Sequence, residues 1–304
     1  MSKLVELPED HYSDSAFSDF APMAEFHRGT ARALSWACQL AYESNDAKIS
    51  RIAERWRLDS ARPFQQEPDK LMSLSASRGI LIEKGAALII AFTGTDPAVV
   101  PNLLTDLDAR RSQGGLHSGF EMAADAVWHV IAPELTAARD AGRPVVITGH
   151  SLGGALGIVT AHRALRDLAL SPAAIYNYGT PRVGDAEFAQ AFNRAFGAIT
   201  YRMTYGVDVV PTLPGRSLGY SHVGRRLHCA RGARFDAAAL ESEPGGEEAK
   251  SANGVLSSFM DGVRRLFAGP LSPSARTDLL GILYRRLPPG VADHLPDRYF
   301  TAFD

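Results

Sequence analysis

The sequence predicts an α/β fold with a mostly parallel central sheet and helices on both faces. Three observations carry this. Apolar runs of strand length alternate with helical patterns along most of the chain. The runs at 86–93 (AALIIAFT) and 144–148 (PVVIT) are continuously apolar, as strands buried on both faces are. The stretch Gly149-His150-Ser151-Leu152-Gly153 stands at the junction of one such strand with a helix.

Residues 1–25 are polar and irregular, which suits a poorly ordered arm or a surface strap. Ala33, Leu34, Trp36, Ala37, Leu40 and Ala41 recur at helical spacing and predict a helix over 30–42. LMSLSAS and GILIEKG then read as two short strands around a turn at Arg78-Gly79. After the strand at 86–93, residues 121–139 have helical periodicity that Pro133 is expected to interrupt. The strand at 144–148 leads into a helix over 152–168. A third strand at 173–178, a helix over 186–196 and a fourth strand at 199–205 follow. Strands alternating with helices imply βαβ units, hence the parallel sheet.

The rhythm breaks in the segment of about 240–290. ESEPGGEEAKSANG is a polar loop. Val255, Leu256, Phe259, Met260, Val263, Leu266 and Phe267 then share one helical stripe, and a second apolar helix spans 279–287. The segment reads as a helical pair inserted into one domain spanning 1–304. It suits a cap over a pocket, contact with a lipid interface, or plain packing on the core.

The chain has 304 residues, 45% of them hydrophobic and 22% charged, enough for one large core. A formal charge of -2 gives no reason to expect nucleic acid as a partner. Cys38 and Cys229 fit no metal-ligand spacing, and two free thiols are the simpler reading. The first residues do not resemble a signal peptide, and no run approaches the length of a membrane span. The expectation is a cytoplasmic protein without metal or organic cofactor.

A serine hydroxyl is a weak nucleophile unless it stands free beside a base. A G-x-S-x-G match is common by chance in a chain with 27 glycines, but the strand before Ser151 and the small-residue helix after it supply the required context. That sharp turn is the nucleophile elbow of the α/β-hydrolase fold, which makes Ser151 the candidate nucleophile. The N–H of Leu152 opens the helix and is one oxyanion donor; Thr95, after the glycine ending the strand AALIIAFT, is the candidate for the second. The acid is expected at the carboxyl end of a later strand. Asp208 lies there, whereas Asp185 looks like the N-cap of the helix at 186–196. Of the histidines that follow, His228 reads as a strand residue in LHCA; His222 and His294 remain open as the base.

The motifs together resemble the class 3 lipases, with FTGTD, NLLTDL, LHSGF, VVITGHSLGGAL, YNYGTPRVGD, VDVVPTLP, GYSHVG and DHLPDRYF in one order. The resemblance runs from about residue 31 to the C-terminus and is weaker over 235–290. It implies an esterase or lipase acting on acylglycerol-type lipid esters, with a lipid or ester substrate as partner. It supports Asp208 as the acid, selects His294 as the base, assigns His222 to structure or the pocket wall, and supports Thr95. It also implies that His117 of LHSGF packs near the site. The family's arginine before the GT pair is Thr93 here, and the segment reading DPAVVPNLLTDL lacks a tryptophan. A phospholipase, or a non-catalytic lipid-binding member of the fold, is the rival reading.

Overall fold

The computed structural model describes residues 5–66, 77–94, 111–244 and 289–304. The helical pair expected within 240–290 lies almost wholly outside the described residues.

The strands are β1 (Ser60–Gln66), β2 (Ser77–Lys84), β3 (Ala87–Phe92), β4 (Val145–His150), β5 (Ala174–Tyr178), β6 (Gly184–Asp185), β7 (Thr200–Tyr205), β8 (Tyr220–Ser221) and β9 (Arg225–Cys229). Seven form one sheet in the order β1-β2-β3-β4-β5-β7-β9, while β6 and β8 pair separately. From β3 to β9 all neighbours are parallel; β1 and β2 are antiparallel additions at one edge. The expectation of a mostly parallel sheet therefore holds.

The helices are α1 (Arg28–Leu40), α2 (Asp46–Arg55), α3 (Ser118–Asp140), α4 (Leu152–Leu168), α5 (Ala186–Phe196), α6 (Pro289–Ala292) and α7 (Pro296–Thr301). Successive strand side chains point to opposite faces, and the core divides accordingly. Ile89, Ala91 and Val146 join α1 and α7 in one cluster. Leu88, Ile90, Phe92, Val145 and Ile147 join α3, α4 and α5 in the other. The sheet is thus covered by an apolar cluster on each face.

Two details depart from the expectations, and a third separates the two alternatives for the N-terminal stretch. Arg78 and Gly79 form no turn but lie within β2, where a Cβ on Gly79 would come within 2.5 Å of the Ala91 carbonyl oxygen and the Phe64 ring. The glycine answers a close approach between strands, not a change of direction. Pro133 does not interrupt α3, because it lies on the exposed side of the helix, where a missing N–H and slight bending are tolerated. The N-terminal stretch is a packed strap: Tyr12, Ala16 and Phe17 are buried against α1, the Tyr12 hydroxyl donates to Glu43 at 2.6 Å, and Trp56 donates to the Ser13 carbonyl at 2.8 Å. Each buried aromatic contributes about 1.5–3 kcal/mol.

Candidate active site

Strand β4 and helix α4 meet at Ser151, whose φ of 58° and ψ of -130° place a non-glycine residue in a strained conformation. The flanking glycines are required by close approach. A Cβ on Gly149 would meet the backbone carbonyl group of Gly153, and one on Gly153 would meet the carbonyl oxygens of Phe92 and Thr93. A Cβ on Gly94, at the end of β3, would lie 2.7 Å from the Ser151 Cβ. The Ser151 N–H donates to the Tyr178 carbonyl at 2.8 Å, which pins the turn to the end of β5. Leu152 is the first residue of α4, where backbone N–H groups have no partner within the helix.

The chain leaves β7 through Gly206, whose φ of 53° turns it toward Asp208. One Asp208 oxygen, Oδ1, accepts the Val210 N–H at 2.9 Å. The other, Oδ2, lies 2.9 Å from His294 Nδ1 and accepts the Tyr299 hydroxyl at 2.5 Å. His294, between α6 and α7, brings Nε2 to 2.7 Å from Ser151 Oγ. A carboxylate only accepts, so Nδ1 carries the ring proton and Nε2 offers its lone pair to the serine hydroxyl. Ser151, Asp208 and His294 are all buried.

The remaining sequence candidates separate cleanly. His222 points elsewhere, its Nε2 donating to the Pro211 carbonyl oxygen at 2.8 Å. His228 lies in β9 with Nδ1 3.0 Å from Thr204 Oγ1. Asp185 caps α5, accepting the Phe188 N–H at 2.9 Å, and His117 caps α3, accepting the Gly119 N–H at 3.2 Å. Thr95 lies outside the described residues. Among the described residues no group of three or more His, Cys, Asp or Glu is arranged to hold a metal, and no helix is long and apolar enough to cross a membrane. Cys38 and Cys229 are free and buried.

Sequence reasoning missed four contributors: Tyr42, His150, Asp293 and Tyr299. Asp293 accepts the Val207 N–H at 2.8 Å and pairs with Arg231 at 2.7 Å. Asp293 and Tyr299 sit in DHLPDRYF beside the base, so proximity to His294 was the available signal. Tyr42 and His150 are joined only by the fold.

Residues 89–218 match the family described as lipase (class 3). Over that stretch the chain is similar to the class 3 lipases. It is 40% identical over 114 residues to a secreted mono- and diacylglycerol lipase of Fusarium solani, covering 36% of this chain and 32% of the relative. To the secreted mono- and diacylglycerol lipase A of Penicillium cyclopium it is 32% identical over 146 residues, covering 45% and 46%. The chain thus spans about a third to a half of the length of these curated relatives. Among solved structures, Rhizomucor miehei triacylglyceride lipase superposes with a TM-score of 0.56 at 20% identity, covering 74% of this chain and 87% of the other. Lipase II from Rhizopus niveus gives 0.51 at 22% identity, covering 75% and 86%. These likenesses show the α/β-hydrolase fold. The expectation of a cytoplasmic protein is corrected: these family relatives are named secreted lipases, and composition alone had no power to separate the compartments.

Proposed function

We propose that this chain is a carboxylic-ester hydrolase acting on acylglycerol-type lipid esters, with Ser151 as nucleophile, His294 as base and Asp208 as acid. The observation that carries the reading is the unbroken hydrogen-bonded line from Ser151 Oγ through His294 to Asp208 Oδ2, at 2.7 and 2.9 Å.

His294 takes the serine proton at Nε2 as Oγ attacks the ester carbonyl, giving a tetrahedral oxyanion. The imidazolium then protonates the departing alcohol and leaves an acyl-serine. Water repeats the sequence on the acyl-enzyme, releasing the fatty acid and restoring Ser151. Asp208 orients the ring and stabilises its positive form. The Leu152 N–H and Thr95 are the proposed oxyanion donors, and losing one such donor costs about 10²–10³ in rate. The fungal relatives, named as mono- and diacylglycerol lipases, support glycerol esters as the substrate class.

A substrate panel tests this: a short p-nitrophenyl ester, mono-, di- and triacylglycerol, and phosphatidylcholine. We expect turnover of the short ester and of partial glycerides, reduced at least about 10⁴-fold in Ser151→Ala. Phospholipid as the preferred substrate overturns the substrate class, and ester turnover that survives Ser151→Ala overturns the mechanism.

A further inference from the structure

His150 occupies the variable position of the elbow, yet its side chain is buried and bonded at both ends. Nε2 lies 2.7 Å from the backbone carbonyl oxygen of His294, and Nδ1 lies 2.9 Å from the Tyr42 hydroxyl. That hydroxyl also accepts the Gly94 N–H at 2.8 Å. The His150 and His294 rings are 4.7 Å apart between centroids.

The proton positions follow from the partners. A carbonyl oxygen only accepts, so Nε2 of His150 carries the proton. In a neutral ring Nδ1 is then an acceptor, and the Tyr42 hydroxyl donates to it. This leaves the phenolic oxygen to accept from Gly94. Burial, with the neighbouring His294, pushes His150 well below the ordinary histidine range and so favours the neutral ring that this arrangement needs.

We propose that Tyr42 and His150 are positioning residues that tie Gly94, packed against the nucleophile Ser151, to the backbone of the base His294. The inference rests on the reading of Ser151, Asp208 and His294 as the triad. Gly94 abuts Ser151, and His294 must meet both Ser151 and Asp208, so one four-residue chain of hydrogen bonds fixes Gly94 and the base relative to each other around the nucleophile. The chain's role is positional, the proton transfers staying with Ser151, His294 and Asp208. It acts through Gly94 and His294, and misplacement by about 1 Å at a reacting group costs about 10²-fold in rate.

The test is kinetic, on the full chain with a short p-nitrophenyl ester, rates being normalised to sites titrated by a fluorophosphonate. Tyr42→Phe removes only the hydroxyl. His150→Asn keeps an acceptor near the Nδ1 position but cannot reach the His294 carbonyl; His150→Gln restores a donor near the Nε2 position. We expect Tyr42→Phe and His150→Asn each to lower kcat about 10- to 100-fold with KM within about twofold of wild type. His150→Gln should recover part of the loss, and Tyr42→Phe/His150→Asn should fall little below the worse single variant, as members of one unit do. Wild-type kcat in Tyr42→Phe, a loss confined to KM, or multiplying losses in the double variant each overturn the inference while leaving the triad standing. Should His150→Asn fail to fold, the near-isosteric Tyr42→Phe decides alone. A wild-type chain that neither labels nor cleaves ester removes the triad reading and this inference together.

Discussion

Asp293 Oδ2 accepts the N–H of Val207 at 2.8 Å, so the residue before the base holds the residue before the acid. Gly206 makes room for that carboxylate, since a Cβ there would collide with it. Arg231 closes over the outer side of Asp293 with two nitrogens at 2.7–3.1 Å. The acid and base segments, far apart in sequence, are thus fastened to each other one residue away from the chemistry.

Asp293→Ala therefore should cost activity without touching the triad. A hydrogen bond from a backbone N–H to a charged acceptor contributes about 1.5–3 kcal/mol. The variant should unfold at lower denaturant by that order and lose about tenfold or more in kcat, as the Asp208 turn loosens. Asp293→Asn keeps an acceptor for Val207 and should recover most of the stability. Equal losses in both variants would mean that the Arg231 ion pair matters, and not the Val207 bond.

Tyr299→Phe removes one of the donors to Asp208 Oδ2 and leaves the ring packed among Tyr178, Tyr205 and Phe235. We expect a folded protein with kcat down by several fold, because the carboxylate keeps the Val210 N–H and His294 but gains freedom to rotate. Steady-state kinetics beside a thermal melt separate this from general destabilisation.

The elbow stores strain that a stability measurement can read. Ser151 has a φ of 58°, where glycine is at ease and alanine is not. Both Ser151→Gly and Ser151→Ala should be inactive, yet Ser151→Gly should be the more stable by about 1 kcal/mol. That corresponds to about 1–2 °C in Tm for a chain of 304 residues. An alanine variant that melts at or above the glycine variant contradicts the strained turn.

Stability should fall away on both sides of neutrality for identifiable reasons. Burial lowers His150 well below its ordinary 6.5, so the unfolded chain binds its proton first and stability is lost as pH drops below that value. Burial pushes the Cys38 thiol up to about 12, so its contribution is complete below the ordinary value of 9.0 and is lost as pH rises toward 12. Between pH 9 and the ordinary tyrosine value of 10.0, before the buried Tyr12 and Tyr178 join in, the alkaline slope should flatten in Cys38→Ala. Denaturant melts across pH measure it; an unchanged slope contradicts the assignment.

Much of the fold is legible because burial leaves a pattern. β3 and β4 are covered on both faces and read as uninterrupted apolar runs, and α4 and α5 begin and end where the spacing places them. β1 escaped because it is an edge strand, SARPFQQ, with a proline and one buried residue. Gly79 misled because a glycine needed for close strand approach looks the same in sequence as one needed for a turn. In the site, Ser151 announces itself through a local motif, and Asp208 through its place after a strand. The base does not: His294 is 143 residues from Ser151, and spacing alone left His222 equally eligible until the family resemblance separated them. The Tyr42–His150 contact spans 108 residues and has no local signature at all.

In the proposed mechanism Ser151 is a nucleophile activated by His294. Fluorophosphonate labelling followed by peptide mapping tests it most directly. Stoichiometric modification of Ser151 is expected in wild type and in His222→Ala, and little or none in Ser151→Ala or His294→Ala. Modification of another residue, or labelling that depends on His222 and not on His294, contradicts it.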